Sequence, residues 1–393
     1  MFIGIVVTSC ALVLVFAILF VKHLPYPPTV GTGLLVILLP TAFRLIRRDR
    51  WAAIRTHQWD RVRLIYKYVT IYNFAWRLDR AYASLPLPED ALDSLEGASD
   101  ILDGILDNGP DTYQKKTSNR LQIESLLKCV SDLVVHVRST VTRTPLVLDI
   151  GAGKALFTRA VYEALDRKVA VIALDARRPK KTSHKTGDMF YDPDPENKIN
   201  ENRVRDEPYT RVVADVRYLA AKTLVPMREA KNGGVVAITK HLCGGATDGS
   251  IIALCKEPLM EYVGACCFAP CCHQKTRKDQ YCNIAFLESM GFCRTHVGMR
   301  DGIQDTDFKN FGMLISMSRA KNLQHWEYKK SHLLDLLGFE RAAQLGRQAR
   351  RLFEEGRIRY LRQHGFEVKL VRYCEESITG DNLAIIATKR GSN

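Results

Sequence analysis

Leu146-Val147-Leu148-Asp149-Ile150-Gly151-Ala152-Gly153-Lys154-Ala155 is the stretch that decides the fold. A short apolar run enters a glycine turn, and residues 156–165 continue at helical spacing. A run of this length reads as a buried strand. Glycines at the turn let the backbone approach a ligand closely, and a helix amino terminus offers it unpaired N–H groups. Outward from this unit, apolar runs recur at 169–174, 212–214, 235–239, 262–265 and 383–388, with helical segments between them. That alternation predicts a doubly wound, Rossmann-like α/β sheet. Residues 118–138 add a helix through Leu121, Leu126, Leu127, Val130 and Leu133, so the α/β domain is expected over residues 114–393.

Polar residues at the carboxyl ends of such strands line the crevice where open α/β sheets bind ligands. Position 156 is Leu, so the third glycine of the dinucleotide fingerprint G-x-G-x-x-G is missing and a pyrophosphate cofactor is disfavoured. Asp149 ahead of Gly151 and Gly153 suits S-adenosylmethionine instead, because a carboxylate there can help order the turn and the ligand's ammonium end. Asp175 closes the second run, where it can accept hydrogen bonds from ribose hydroxyls, and Asp215 closes the third, beside the expected adenine. Each of these aspartates can equally cap the helix that follows it.

Two further strand ends carry reactive side chains. Residues 235–238 lead into Lys240-His241-Leu242-Cys243-Gly244-Gly245-Ala246-Thr247-Asp248, and residues 262–265 lead towards Pro270-Cys271-Cys272-His273. Both motifs are expected at one crevice. Lys240, His241, Asp248 and His273 are the candidates to orient and deprotonate an acceptor. The histidines titrate near neutrality, whereas Lys240 acts as a base only where burial depresses its pKa.

Charge points to a polyanionic partner. Lys and Arg number 57 against 43 Asp and Glu, a formal net charge of +14, although residues 81–114 contain no Lys or Arg. Arg177, Arg178, Lys180 and Lys181 follow the second run, and the carboxyl-terminal helix brings Arg357 and Arg359 among its arginines. Both groups suit phosphate contacts, with a solvated surface as the plain alternative. Ala342, Leu345, Ala349, Leu352 and Phe353 are that helix's expected buried stripe. The eleven cysteines show no secreted disulfide framework. A C-x₂₋₄-C pair matched by a second, distant pair is not clear in the spacing, and Cys271 and Cys272 as sequence neighbours point apart, so no metal is expected.

At the amino terminus, residues 2–21 are apolar and uncharged, long enough at about 1.5 Å per residue to span a bilayer core of roughly 30 Å. A second, shorter apolar stretch at 30–43 precedes Arg44, Arg47, Arg48 and Arg50. Residues 1–50 are thus expected to hold one or two membrane-associated hydrophobic segments, and by the positive-inside rule their basic flank keeps the catalytic domain on the cytosolic side. The alternative is a soluble cytoplasmic or nuclear chain with a misassigned start. Residues 51–83 read as a helix, juxtamembrane or packed, and residues 51–113 together as a helical and acidic linker region.

With these motifs and Glu355-Gly356-Arg357-Ile358-Arg359-Tyr360-Leu361-Arg362 in place, the chain resembles the tRNA:m4X modification enzymes, tRNA ribose 2'-O-methyltransferases acting at position four of the acceptor stem. The Lys-His-Leu-Cys-Gly-x-Ala-Thr-Asp, Cys-Cys-His and Gly-Arg-x-x-Tyr-Leu elements occur in the family's order, over about residues 114–389. The resemblance implies S-adenosylmethionine as methyl donor and tRNA as acceptor; no obligate protein partner is inferred from the sequence. Two departures stand out. A hydrophobic segment replaces the family's amino-terminal Cys/His zinc modules, and the family's Cys-Cys-His-His reads Cys271-Cys272-His273-Gln274. The rival readings are a methyltransferase with another acceptor, either other RNA, protein or a small molecule, and a non-catalytic, membrane-tethered RNA-binding protein.

Overall fold

All five residues of Leu146-Val147-Leu148-Asp149-Ile150 are buried. Successive side chains of a strand point to opposite faces, so a strand buried throughout must be covered by helices above and below. The computed structural model builds this arrangement and describes residues 57–91, 93–103, 105, 113–176, 209–293, 306–318 and 336–390. Its strands are β1 (Glu89–Asp90), β2 (Leu146–Ile150), β3 (Ala170–Asp175), β4 (Thr210–Val213), β5 (Val235–Cys243), β6 (Val263–Cys271), β7 (Phe366–Arg372) and β8 (Leu383–Lys389). Its helices are α1 (His57–Ala83), α2 (Ala98–Asp103), α3 (Tyr113–Thr140), α4 (Leu156–Ala164), α5 (Val225–Glu229), α6 (Gly245–Leu254), α7 (Ile284–Ser289), α8 (Thr306–Ser318) and α9 (Phe339–Gln363). Residues 57–76 belong to one compact unit, where they are helical, and residues 77–330 and 337–393 to another, which holds the whole sheet.

The strand order is β1-β7-β8-β6-β5-β2-β3-β4. From β6 to β4 all neighbours are parallel, and β8 is antiparallel to both β6 and β7. The chain leaves β2 towards β3 and β4, then returns to the other side of β2 with β5. The carboxyl ends of β2 and β5 are therefore the switch point, where an open sheet of this kind leaves a crevice. One face packs Leu146, Leu148, Ile172, Ala237 and Phe268 against Met227, Ile251, Leu254, Ile358 and Leu361 from α5, α6 and α9. The other packs Val147, Val171, Val236, Ile238 and Cys267 against Leu102, Leu126, Leu127, Val130 and Val161 from α2, α3 and α4. The expected doubly wound sheet is thus observed.

Several expectations change. The run at 383–388 is antiparallel to its neighbours, and β7 was not among the expected strands. The acidic stretch expected as linker carries a short helix but also joins the sheet: β1 pairs with Val371 and Arg372 of β7, and Ala98 and Leu102 of α2 are buried in the core. The α/β domain therefore begins before residue 114. Leu121, expected on the buried stripe of α3, is 37% exposed. The apolar stretches within residues 1–50 lie outside the described residues; among those described, no helix is long and apolar enough to cross a membrane.

Helices α8 and α9 approach closely at Gly346, where a methyl group would meet the Leu314 carbonyl oxygen at 2.0 Å. Gly346→Ala must push the two helices apart, and overpacking of this kind costs about 1–3 kcal/mol. A lowered urea midpoint in circular dichroism is the expected result.

Candidate active site

The glycine turn after β2 is shaped by backbone geometry that ordinary residues avoid. Gly151 has φ +77° and Gly153 φ +54°. A Cβ on Gly151 would meet Leu242 Cδ1 at 2.6 Å, whereas one on Gly153 would meet nothing within 4 Å. The turn is therefore packed from behind by β5 and open in front. The Gly153 N–H donates to Asp175 Oδ2 at 2.9 Å, and Arg211 Nη1 donates to the Gly153 carbonyl at 2.9 Å. Asp175 at the end of β3 thus braces the turn with one carboxylate oxygen. Asp149 is buried, accepts from Thr158 Oγ1 at 2.6 Å, and is raised to about 7 chiefly by burial. Asp215 takes the capping role, accepting from the Arg217 N–H at 3.0 Å, and the Arg217 hydrogen bond holds its carboxyl below the usual range.

Strand β5 runs beside this turn, with Asp149 opposite Ile238 in the ladder, so Lys240 lies beside Gly151. Lys240 faces α3 and donates through Nζ to Asn119 Oδ1 at 2.6 Å. Burial pushes its ammonium down to about 8, partly offset by Cys271 and Asp149. His241 lies in β5, but its side chain is outside the described residues. Asn119 was not foreseen; nothing in α3's apolar spacing marks it, and only the register of β5 brings the two together.

The remaining candidates sit in a buried ionic network. Asp248 is 0% exposed and takes two hydrogen bonds from Arg357, Nε to Oδ1 at 3.1 Å and Nη2 to Oδ2 at 2.6 Å. Arg357 Nη1 also stands 3.5 Å from Glu354 Oε1. His273, 3% exposed, meets Glu354 through Nε2, while its Nδ1 is buried without a hydrogen-bond partner among the described residues. Burial resists ionisation of Glu354, but His273 and Arg357 hold its carboxyl below the usual value.

This corrects two expectations. Asp248 cannot meet an acceptor because its carboxylate is enclosed and occupied, and Arg357 cannot meet a phosphate because it is itself fully buried. Arg359 is half-exposed but engaged, paired with Glu355 at 3.0 Å and stacked on Phe286 at 4.8 Å. Arg177, Arg178, Lys180 and Lys181 lie outside the described residues. The α9 stripe of Ala342, Leu345, Ala349, Leu352 and Phe353 is buried as expected. Its arginines, though, mostly grip protein: Arg350 holds Asp381 at 3.1 Å, and Arg351 holds Glu355 and the Pro86 carbonyl.

At the same end of the sheet, a cavity of about 380 Å³ is lined by Pro270, His273, Arg347, Arg351, Glu354 and Arg372 among others. The thiols also converge more than the spacing implied, for Cys243, Cys271 and Cys272 place their sulfurs within 4.8 Å of one another.

A glycine turn at the switch point, braced by the next strand's aspartate and flanked by a lysine on the adjacent strand, defines a nucleoside-cofactor domain of the Rossmann-like methyltransferase type. The chain belongs to the methyltransferase TRM13 family, whose model matches residues 121–388. It is 28% identical to the tRNA:m(4)X modification enzyme TRM13 of Vanderwaltozyma polyspora over 46% of this chain and 42% of that one. Against the enzyme of the same name from Scheffersomyces stipitis it is 31% identical over 38% of this chain and 36% of that one. The matches thus span less than half the length of these relatives. Among solved structures, the plantazolicin methyltransferase BpumL in complex with SAH covers 75% of this chain and is itself covered to 96%, at 14% identity and a TM-score of 0.30, a likeness that fixes neither ligand nor reaction.

Removing one partner of a buried ion pair leaves the other charge stranded, at a cost of about 3–5 kcal/mol. Arg357→Met is expected to lower the unfolding midpoint sharply, and adding Asp248→Leu to recover much of the loss. Asp149 carries a separate pH signature. Its folded pKa, about 7, lies above the ordinary 3.8, so its contribution to stability is complete below pH 3.8 and lost as pH rises through about 7. Asp149→Asn is expected to remove that slope from stability measured between pH 4 and 8.

Proposed function

We propose that the protein is an S-adenosylmethionine-dependent tRNA methyltransferase that methylates a ribose 2'-hydroxyl at position four of the acceptor stem. The observation that carries this reading is the juxtaposition, inside the region matched by the methyltransferase family, of the open glycine turn and Lys240 on neighbouring strands. The turn suits the cofactor: a Cβ on Gly153 would meet nothing within 4 Å, so the turn is open there, and Asp175 lies at the next strand end. Gly151, Gly153 and Asp175 would hold S-adenosylmethionine, which when bound would supply an electrophilic methyl group on sulfur.

The chain's own work is to orient the acceptor hydroxyl and take its proton. An alcohol is a weak nucleophile unless its proton leaves as the new bond forms. Lys240 is suited to receive it, because an amine with a pKa near 8 has a substantial neutral fraction at physiological pH. Asn119 holds the amine in one place. His273 is the second polar group at these strand ends and lines a cavity together with Arg347 and Arg372, which pair with Glu376 and Asp90, so an RNA phosphate reaching them would have to compete with those carboxylates. Residues 2–21 support membrane anchorage with the basic flank at Arg44, Arg47, Arg48 and Arg50 in the cytosol; release of the full-length chain by alkaline carbonate would overturn that part.

The decisive measurement is methyl transfer from labelled S-adenosylmethionine to tRNA taken from cells lacking this protein, with the site mapped by resistance of the ribose to alkaline cleavage. Methylation at position four is expected, and an acceptor stem left unchanged rules the reading out. Lys240→Met is expected to cut the rate at least a hundredfold while leaving cofactor affinity within a few-fold. In the native enzyme the rate should rise with pH and level off above about 8, as Lys240 loses its proton. A flat profile with unaltered Lys240→Met activity would remove Lys240 from the chemistry.

A further inference from the structure

We propose that Cys243, Cys271 and Cys272 form a site for one soft divalent metal ion of the zinc class, held by three sulfur ligands with a fourth position towards solvent. The three sulfurs lie within 4.8 Å of one another, and Cys243 Sγ is 3.6 Å from Cys271 Sγ. A tetrahedral zinc ion with Zn–S bonds of about 2.3 Å sets its sulfurs about 3.8 Å apart. The observed triangle closes on such an ion with shifts of at most about 1 Å.

Strand register builds the cluster. Cys243 and Cys271 are ladder partners at the ends of β5 and β6, beyond an irregularity between Lys240 and Cys243. In an extended chain Cys272 would point away from Cys271, which is why the adjacent pair looked unsuited to a common ligand. Here Cys272 adopts the left-handed conformation, φ 53° and ψ 38°, and this kink turns both thiols to one point. A non-glycine residue held there costs energy that the surroundings must supply. The next link is equally constrained: Gly244 has φ +57°, its N–H donates to the Cys271 carbonyl at 3.1 Å, and a Cβ there would meet Lys275 Cβ at 2.8 Å.

Donor chemistry selects the ion. An all-sulfur set disfavours magnesium and calcium and suits zinc. Cys271 is buried, Cys272 half-buried and Cys243 exposed, so the cluster opens outward on the Cys243 side. Three protein ligands with one open position is the pattern of zinc sites that still exchange a ligand. A disulfide is the competing outcome, but it needs sulfurs about 2.05 Å apart and leaves the third thiol unused. The ion would clamp the ends of β5 and β6 one residue from Leu242, which backs the glycine turn. None of this depends on the acceptor being tRNA.

The test uses the full-length chain, freed of any histidine tag and purified under reducing conditions. About one zinc per chain is expected by elemental analysis, and exchange for cobalt should give sulfur-to-metal charge-transfer absorption. Cys243→Ser and Cys272→Ser should each weaken zinc affinity at least tenfold, with Cys129→Ala unchanged. Should either serine variant unfold, alkylation of the native chain still decides: zinc should shield the peptides bearing Cys243, Cys271 and Cys272, and a chelator should expose them together. A folded chain that binds no zinc at micromolar concentration overturns the proposal. So does a disulfide within the trio after purification, or zinc retained by both serine variants.

Discussion

Arg357 is the constraint around which the carboxyl-terminal half of the molecule is arranged. A guanidinium that is 0% exposed requires an anion in fixed geometry, and Asp248 at the start of α6 supplies it through two hydrogen bonds. That requirement sets the rotation and register of α9 on the sheet. Once α9 is so placed, Glu354 one turn earlier meets His273 beyond β6, and the Gly356 carbonyl accepts from Asn283 Nδ2 at 2.9 Å. Glycine at position 356 follows from the same closeness, because any side chain would meet the Tyr281 hydroxyl. One buried pair thus fixes the segments after both β5 and β6 against a single helix.

The motif from Lys240 to Asp248 divides its labour along its length. Its first residue points to α3 and Asn119, on the same face as Asp149. Its last is locked beneath α9 on the opposite face, and between them the chain passes the thiols and turns at Gly244. A short motif can therefore turn one end to the side of the glycine turn and lock the other into the interior. The same split explains α9, whose arginines give it the look of a nucleic-acid surface although Arg350, Arg351 and Arg357 are buried and Arg341, Arg347, Arg359 and Arg362 pair with neighbouring protein groups.

The architecture was legible because its signals are local. Val-rich runs, a glycine turn and apolar helical spacing each report on one element, and they gave the sheet, its central strands and the buried stripe of α9. What escaped was set by contacts distant in sequence. Glu89-Asp90 carries no strand propensity and joins the sheet only because β7 offers a free edge. Asn119 and Lys240 are 121 positions apart. Cys243 was overlooked as a partner for Cys271 because an irregularity in β5, invisible in spacing, aligns them. Charge misled in the opposite direction, since Arg357 and Asp248 look like surface groups until their burial is seen.

The position of β8 has a consequence for how the chain acquires its shape. This strand, made last of the eight, lies between β6 and β7, and β1 reaches the sheet only through β7. During synthesis the nascent domain can assemble β2 to β6, but one flank of β6 stays open until the β7–β8 hairpin emerges and inserts. An exposed strand edge is a template for pairing with other chains. Between completion of β6 and arrival of the hairpin, that edge of the growing polypeptide lies open to such pairing.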